Sequence, residues 1–587
     1  MRFLVSVSGP ATSCSTTRSP EDSPVSCGNG RKKKANVFSC DDENCGIDTG
    51  TSECRVTDKE IPPDTTSRNG NGTEFPFPDP EQQQRDLTES IEHHHRPRDP
   101  LPPLGEFGLK RGIQPWMANL IAIGGIIGSC YFLGTGYLIS QMGPSVILLY
   151  ALGGLIIYTV MQSFAELLVN VPRQGNFISY SAEFISPTWA VGTGWSYWFN
   201  WCAYIPSEAV AGGIIMHVFV SEVPVVLWAV AFLLMITILN LIQVGGFGWV
   251  ESSLAIVKIA HNVIFCIVAA LIVLGLIGSA GFIGTSVVFP PNGSLYDDIF
   301  PAGWFILIAN MALILVNFQG SEIVGLAAAE TQDPKRTVPK ACRMVVHRII
   351  RVDILPILFL ILIIPYAEAG LTDSVFSTAL ANYGFKEAAA ILSFIVLTAA
   401  FSCANSGFYG AVRALYGLSL EGMAPRFLSK LNRHCVPMVG TLMTLACCWL
   451  VLSLWWFTNG EGQLYIWLLS VSAFTGAICW ISICWAQVVF RKRIYERGYT
   501  DADIIAPAPL SPWMPVLVGV VLEVIALIVL AFNEELVGSL YLSIPVVFVP
   551  MIVYWAGRKT GRIKGIKFLN PDEKSFDELF PDKRGKR

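Results

Sequence analysis

The chain has 587 residues, of which 52% are hydrophobic and only 15% charged, where soluble chains carry about a quarter. A mean hydropathy of +0.50 makes this the sequence of a membrane protein. The formal net charge of −4 leaves no basic footprint for nucleic acid, and 15 cysteines in so long a chain, most inside apolar stretches, do not suggest a disulfide framework.

The first residues, with one Arg and a very short apolar stretch, lack the pattern of a secretory signal, so the first membrane helix is expected to do the targeting. Residues 1–107 are rich in Ser, Thr, Pro, Gly, Asn and charge and almost without apolar periodicity. They cannot offset chain entropy by burial, and a disordered cytoplasmic tail is expected. Arg31, Lys32, Lys33 and Lys34 read as solvated charge, with a lipid-headgroup or localisation patch as the alternative. Cys40, Cys45 and Cys54 with His93, His94 and His95 lack the paired spacing of structural zinc sites, so no metal is expected.

From Gly112 onward, apolar stretches of about 20 residues recur, long enough to cross a hydrocarbon core at about 1.5 Å per residue. Twelve spans are expected, at 113–139, 145–168, 189–218, 223–243, 250–278, 302–328, 349–369, 386–416, 436–457, 464–489, 513–533 and 537–556. None alternates with period two, which excludes a barrel and leaves helices as the way to satisfy the backbone in lipid. The membrane-spanning body is expected over 108–557, with 558–587 a second cytoplasmic tail.

In a twelve-span arrangement Arg173, Lys335, Arg336, Lys340, Arg343, Arg426, Lys430, Arg433, Arg491, Lys492, Arg493, Arg497, Arg558, Lys559 and Arg562 fall on one side. The other side offers little more than Lys386, so both termini are expected in the cytoplasm. The sequon at Asn292 then lies outside, where glycosylation can occur.

Two spans break the apolar rule. Gly124-Gly125-Ile126-Ile127-Gly128-Ser129-Cys130 interrupts the first, and Phe318-Gln319-Gly320-Ser321-Glu322-Ile323-Val324-Gly325 the sixth. Each cluster alone could serve close helix packing. Together, five spans apart and with a carboxylate in the second, they point to a five-plus-five inverted repeat with discontinuous helices 1 and 6 meeting at a midplane site.

An interrupted helix leaves free N–H groups where its second half starts and free carbonyls where its first half stops. A small zwitterion satisfies both. Its carboxylate is expected against the amides of Gly128, Ser129 and Cys130, and its amine against carbonyls of Val316, Asn317 and Gln319 beside Gly320.

Ionisable residues inside a bilayer are costly and raise a functional hypothesis. Glu322 sits in the second break, placed to hold a proton, attract the amine or gate the site, or else to be a carboxyl bonded to neighbouring amides. Lys258 lies about two turns into span 5; it either carries a proton and replaces a sodium ion, or snorkels to the edge. Glu208 and Glu523 are weaker candidates, and Glu166 is expected at the interface.

These stretches, with Ala165-Glu166-Leu167, Gly175-Asn176-Phe177-Ile178-Ser179-Tyr180, Gly194-Trp195-Ser196-Tyr197-Trp198, Ile205-Pro206-Ser207-Glu208-Ala209, Ala404-Asn405-Ser406-Gly407 and Glu421-Gly422-Met423-Ala424-Pro425, resemble amino acid permeases of the amino acid–polyamine–organocation superfamily. The resemblance covers about 108–557 and is nearest to the branch of fungal amino acid permeases and bacterial γ-aminobutyrate and aromatic amino acid permeases. It implies a five-plus-five core with two extra helices and amino acid uptake coupled to protons. It further implies that Glu322 matches the family's span 6 carboxylate and Lys258 the span 5 lysine that stands, in some members, where related symporters hold sodium. One departure is Cys130, where the motif usually continues with Gly; its side chain intrudes where the ligand's carboxylate and α-carbon should pass.

The expected function is therefore import of an amino acid by proton symport, with the proton gradient as driving force, no cofactor, and sodium the less favoured ion. The substrate and the lipid bilayer are the expected partners, and no nucleic acid is. An amino acid sensor with little flux is the alternative, with an ion–chloride cotransporter behind it. No nucleophile elbow, zinc-protease helix or phosphate loop marks an enzyme. Phe318 and Trp195 are gate or pocket candidates, or else packing residues. The plasma membrane is the expected location, with vacuole or endosome as alternatives.

Overall fold

The computed structural model describes residues 127–173, 177–242, 247–279, 281–289, 294–323, 340, 342, 349–371, 373–432, 436–458, 460–563 and 574–583. The N-terminal tail, the first half of span 1 and Asn292 lie outside the described residues. All regular structure among the described residues is helical.

Every expected span has a helix. They are α1 (Cys130–Gly134, a π turn, running on as Thr135–Met142), α2 (Val146–Asn170), α3 (Pro187–Phe219), α4 (Val225–Ile242) and α5 (Phe247–Val273). Then follow α6 (Phe305–Ala309 and Met311–Val316), α7 (Ile349–Ile354 and Leu355–Ile363), α8 (Lys386–Leu420) and α9 (Met438–Phe457). Last come α10 (Glu461–Tyr495), α11 (Trp513–Leu530) and α12 (Val537–Lys559). Among the described residues, eight continuous helical stretches are long and apolar enough to cross a membrane by themselves, one of them joining α1 to α2. The count falls short of twelve because α4 is shorter, and α6 and α7 are interrupted or run out of the described residues.

α3 and α10 form the centre. Both are apolar around their whole circumference, the pattern of a helix buried on all sides. The most apolar stretch of α10 is 89% buried, whereas that of α12 is 22% buried and leaves Tyr541, Ile552 and Val553 exposed, as a lipid-facing helix must. α3 packs against α8, α10, α4 and α12. Its start is set locally: Pro187 lies in the first turn, and the Ser186 hydroxyl accepts from the Trp189 amide at 3.1 Å. Small residues bring the axes close; a methyl on Gly407 of α8 would lie 2.1 Å from the Trp201 ring of α3.

At the basic end of α10 the chain after α12 folds back. The short helix Phe576–Leu579 sets Phe576 edge-on to Phe184 and Phe490, and the Arg497 guanidinium lies 4.4 Å over the Phe576 ring. Lys583 pairs with Asp503 at 2.8 Å, and Arg173 donates to the Lys574 carbonyl at 2.9 Å. Glu166, expected at the interface, is instead fully buried.

Candidate functional site

At each predicted interruption the described residues include one helix end. Residues 127 and 128 are not helical and α1 starts beyond them, so the Ser129 amide lies at a helix N-terminus with its donor directed away from its own helix. α6 stops at Val316, and tight turns follow through Glu322, with Gly320 at φ +95°, a conformation glycine adopts freely. In those turns the Val316 carbonyl accepts from the Gln319 amide at 3.1 Å.

The Ser129 N–H is taken by Glu208 of α3. It donates to both carboxylate oxygens, at 3.1 and 2.9 Å, and the carboxylate so placed caps α1 from another helix, the position that the helix dipole favours for an anion. Gly128 makes the approach possible, since a methyl there would lie 2.2 Å from Glu208 Oε1 and 2.7 Å from the Tyr204 hydroxyl. The Ser129 hydroxyl meets Tyr465 of α10 at 3.1 Å. Cys130 is buried, with its sulfur against Gly134 one turn on in the same helix.

At the second interruption, Glu322 Oε1 accepts from the Gly320 amide and Oε2 from Trp480 Nε1 of α10, each at 3.1 Å. The carboxylate is thus bonded to its own broken helix, as one of the two sequence readings had it. Gln319 turns to α10: its amide donates to the Ser472 carbonyl at 2.9 Å and accepts from the Ser472 hydroxyl at 2.7 Å. That hydroxyl also reaches Asn200 of α3 at 2.6 Å. Asn317 is 5% exposed, and neither its side-chain oxygen nor its nitrogen has a hydrogen-bond partner among the described residues. Buried amides of that kind mark a place for a polar ligand or water.

Lys258 does not snorkel. It is 1% exposed, and Nζ donates to Ser402 Oγ of α8 at 2.9 Å; Ser402 in turn donates to Glu251, two turns before Lys258 on α5. A fixed ammonium therefore bridges α5 and α8 inside the bundle.

The gate candidates lie in packing positions. Phe318 is fully buried, edge-on to Tyr150 at 6.2 Å and pressed against Gly153 of α2. Trp195 stacks edge-on with Trp198 and donates to the Met423 carbonyl at 3.4 Å.

α3 joins the two interruptions. Tyr197, Trp201, Tyr204 and Glu208 fall at helical spacing along one stripe, with successive rings in edge-on contact. The residue sequence reasoning underweighted is Glu208; the signal that could have raised it is this stripe, which ends on a carboxylate. The contacts of Trp480 and Ser472 with α6 were not marked, because in a helix apolar all round nothing in sequence shows which face meets α6. Among the described residues no group of three or more His, Cys, Asp or Glu is placed to hold a metal ion.

Comparison with known proteins agrees with this architecture. The family model described as amino acid permease matches residues 118–566. The amino-acid permease RocC of Bacillus subtilis is 34% identical over 75% of this chain and 93% of its own length. The lysine-specific permease LysP of Escherichia coli is 32% identical over 80% of this chain and 97% of its own, and a putative histidine permease of Bacillus subtilis is 31% identical over 78% and 96%. With a helical membrane body, helix ends where spans 1 and 6 were expected to break and these relatives, the chain belongs to the amino acid permease family of the amino acid–polyamine–organocation superfamily, integral membrane proteins of amino acid transport.

Proposed function

We propose that the protein imports an amino acid by proton symport through alternating access, from a plasma membrane in which both termini face the cytoplasm. The observation that carries this reading is the chemistry of the two interruptions. The Ser129 amide is an anion site, and the α6 break holds Asn317 with polar atoms unengaged. A zwitterion is the ligand with complementary ends, and the relatives named for lysine and histidine are named for zwitterions.

Coupling to protons rather than sodium rests on Lys258. Its ammonium already supplies one positive charge between α5 and α8, so a metal cation there would meet a like charge. Movement of a proton on or off Lys258 or Glu322 would bias the outward- and inward-facing states differently, the differential interaction that coupling requires. The reading calls for no cofactor and no enzymatic step.

Uptake of a radiolabelled amino acid panel into proteoliposomes tests it. Saturable uptake stimulated by an inward proton gradient, and lost in K258A, is the expected result. Amino acid binding without flux in the wild type would overturn transport and turn the reading towards a sensor; flux that follows sodium and ignores pH would overturn proton coupling.

A further inference from the structure

Glu208 occupies the amide that the proposed function assigns to the substrate's carboxylate. The Ser129 N–H faces both Glu208 oxygens, and the space beside it is filled, since even a methyl on Gly128 would lie 2.2 Å from Oε1, 2.7 Å from the Tyr204 hydroxyl and 2.9 Å from the Cys403 sulfur. Two carboxylates cannot share that donor. Glu208 and an incoming α-carboxylate are therefore competitors for one site.

What Glu208 does on leaving follows from its surroundings. Tyr204 faces it from α3, Cys130 from α1, Cys403 from α8 and Tyr465 from α10; Lys258 of α5 is the one cation among the described residues facing it. That ammonium is engaged with Ser402, which is itself engaged with Glu251. A displaced carboxylate finds hydroxyls and thiols but no uncommitted cation, next to the anion that displaced it and in a buried setting. Its neutral acid form removes the repulsion. Glu322 faces no such competition, because its oxygens are bonded to Gly320 and Trp480 at the other interruption.

We propose that Glu208 is a tethered stand-in for the substrate carboxylate: it holds the Ser129 amide until an amino acid takes its place, and it leaves as the carboxylic acid, so that binding of one amino acid takes up one proton. The proton comes from solvent and adds to a Glu208 oxygen; no other bond forms or breaks. This rests on the symport reading above and assigns its proton to Glu208 in place of Lys258 or Glu322, and it makes proton uptake a consequence of substrate binding at the same amide.

The test uses the full chain in lipid nanodiscs, titrated calorimetrically with L-lysine, L-histidine, L-serine and L-alanine in phosphate and in Tris at pH 7. The difference in heat between the two buffers counts protons. About one proton per bound amino acid is expected for the wild type and none for E208Q; the wild-type dissociation constant should rise by up to about tenfold per pH unit above neutrality while that of E208Q stays flat. Wild-type binding without proton uptake, or uptake that persists in E208Q, overturns the proposal. If E208Q does not fold, E322Q and K258A decide together: proton uptake retained in both supports Glu208, and uptake lost in either assigns the proton to that residue and overturns the proposal. If no amino acid of the panel binds the wild type, the amino acid reading of the site itself falls, and this proposal with it.

Discussion

Arg491 of α10 grips Glu166 of α2 with two parallel bonds, Nε to Oε1 and Nη2 to Oε2, each 2.8 Å long, and both side chains are almost wholly out of contact with solvent. Gln487 and the Ala508 amide complete the shell of the carboxylate. α2, α10 and the segment leading into α11 are thereby tied at one buried point. Replacing Glu166 by Gln leaves the buried guanidinium with Asp501, 3.2 Å from Nη1, as its remaining counter-ion, so the loss should stay below the about 3–5 kcal/mol of a fully orphaned buried charge. The expected outcome is a clear fall in the thermal unfolding midpoint of E166Q in detergent. R491K should also fall, because an ammonium cannot make the paired bonds. An unchanged midpoint in both would show the pair to be idle.

Gly128→Ala tests the close approach of α3 to the first interruption. The added methyl would stand 2.2 Å from Glu208 Oε1, so the carboxylate must leave the Ser129 amide. The methyl also fills the space assigned to the ligand's carboxylate. G128A should reach the membrane folded, yet bind amino acids at least about tenfold more weakly, a loss of about 1.4 kcal/mol. Equal binding constants for G128A and wild type would refute the placement.

Lys258 and Ser402 should separate coupling from binding. K258A removes the group that joins α5 to α8 and leaves the buried Glu251 with its bond from Ser402. Gradient-driven accumulation should fall about tenfold or more, while exchange of internal for external amino acid, which needs no net proton flow, persists. S402A should give a milder version of the same split. A parallel loss of exchange and accumulation would mean that the pair only holds the fold.

Glu523 of α11 is a buried carboxylate for which neither oxygen finds a partner among the described residues. A polar group in that condition destabilises by about 1–3 kcal/mol relative to an apolar group of like volume. Glu523→Met should therefore raise the unfolding midpoint and leave uptake unchanged. A variant that is stable but inactive would instead give Glu523 a place in transport.

The docked C-terminal segment should respond to acid. The hydrogen bond from Lys583 holds the Asp503 carboxyl below the usual Asp range, helped by the Thr500 amide. A carboxyl with its folded-state pKa depressed contributes its stabilisation above its unfolded pKa and loses it as pH falls through the folded value. Docking should thus be intact at neutral pH and loosen below about pH 4. Protection from hydrogen exchange in 574–583, taken relative to the intrinsic rate at each pH, should fall in that window, and D503N should show the low protection already at pH 7. Protection independent of pH in the wild type would remove Asp503 from the docking contact.

Much of the architecture was readable along the chain. Apolar stretches of about 20 residues can satisfy their backbone in lipid only as helices, so the positions of α1 to α12 followed from length and hydropathy. The glycine clusters at 124–130 and 318–325 marked the interruptions, because glycine and small polar residues mid-span are anomalies visible in one dimension. Family resemblance was readable for the same reason, since its motifs are local and ordered.

The partners of the site carboxylates were not readable. Glu322 and Lys258 stood out for being charged within spans, but sequence left open whether Glu322 bonds its own helix and whether Lys258 reaches the edge. Only the packing of α8 and α10 decided these, by bringing Ser402 to Lys258 and Trp480 to Glu322. Likewise Glu208 was one acidic residue among several until α3 set it on the Ser129 amide, 79 positions away in the chain. The physical reason is common to all three. A helix buried on every side carries no amphipathic stripe to show which neighbour each face meets, so composition and spacing by themselves determined the spans and the breaks, whereas only the tertiary structure decided which carboxylate holds which amide.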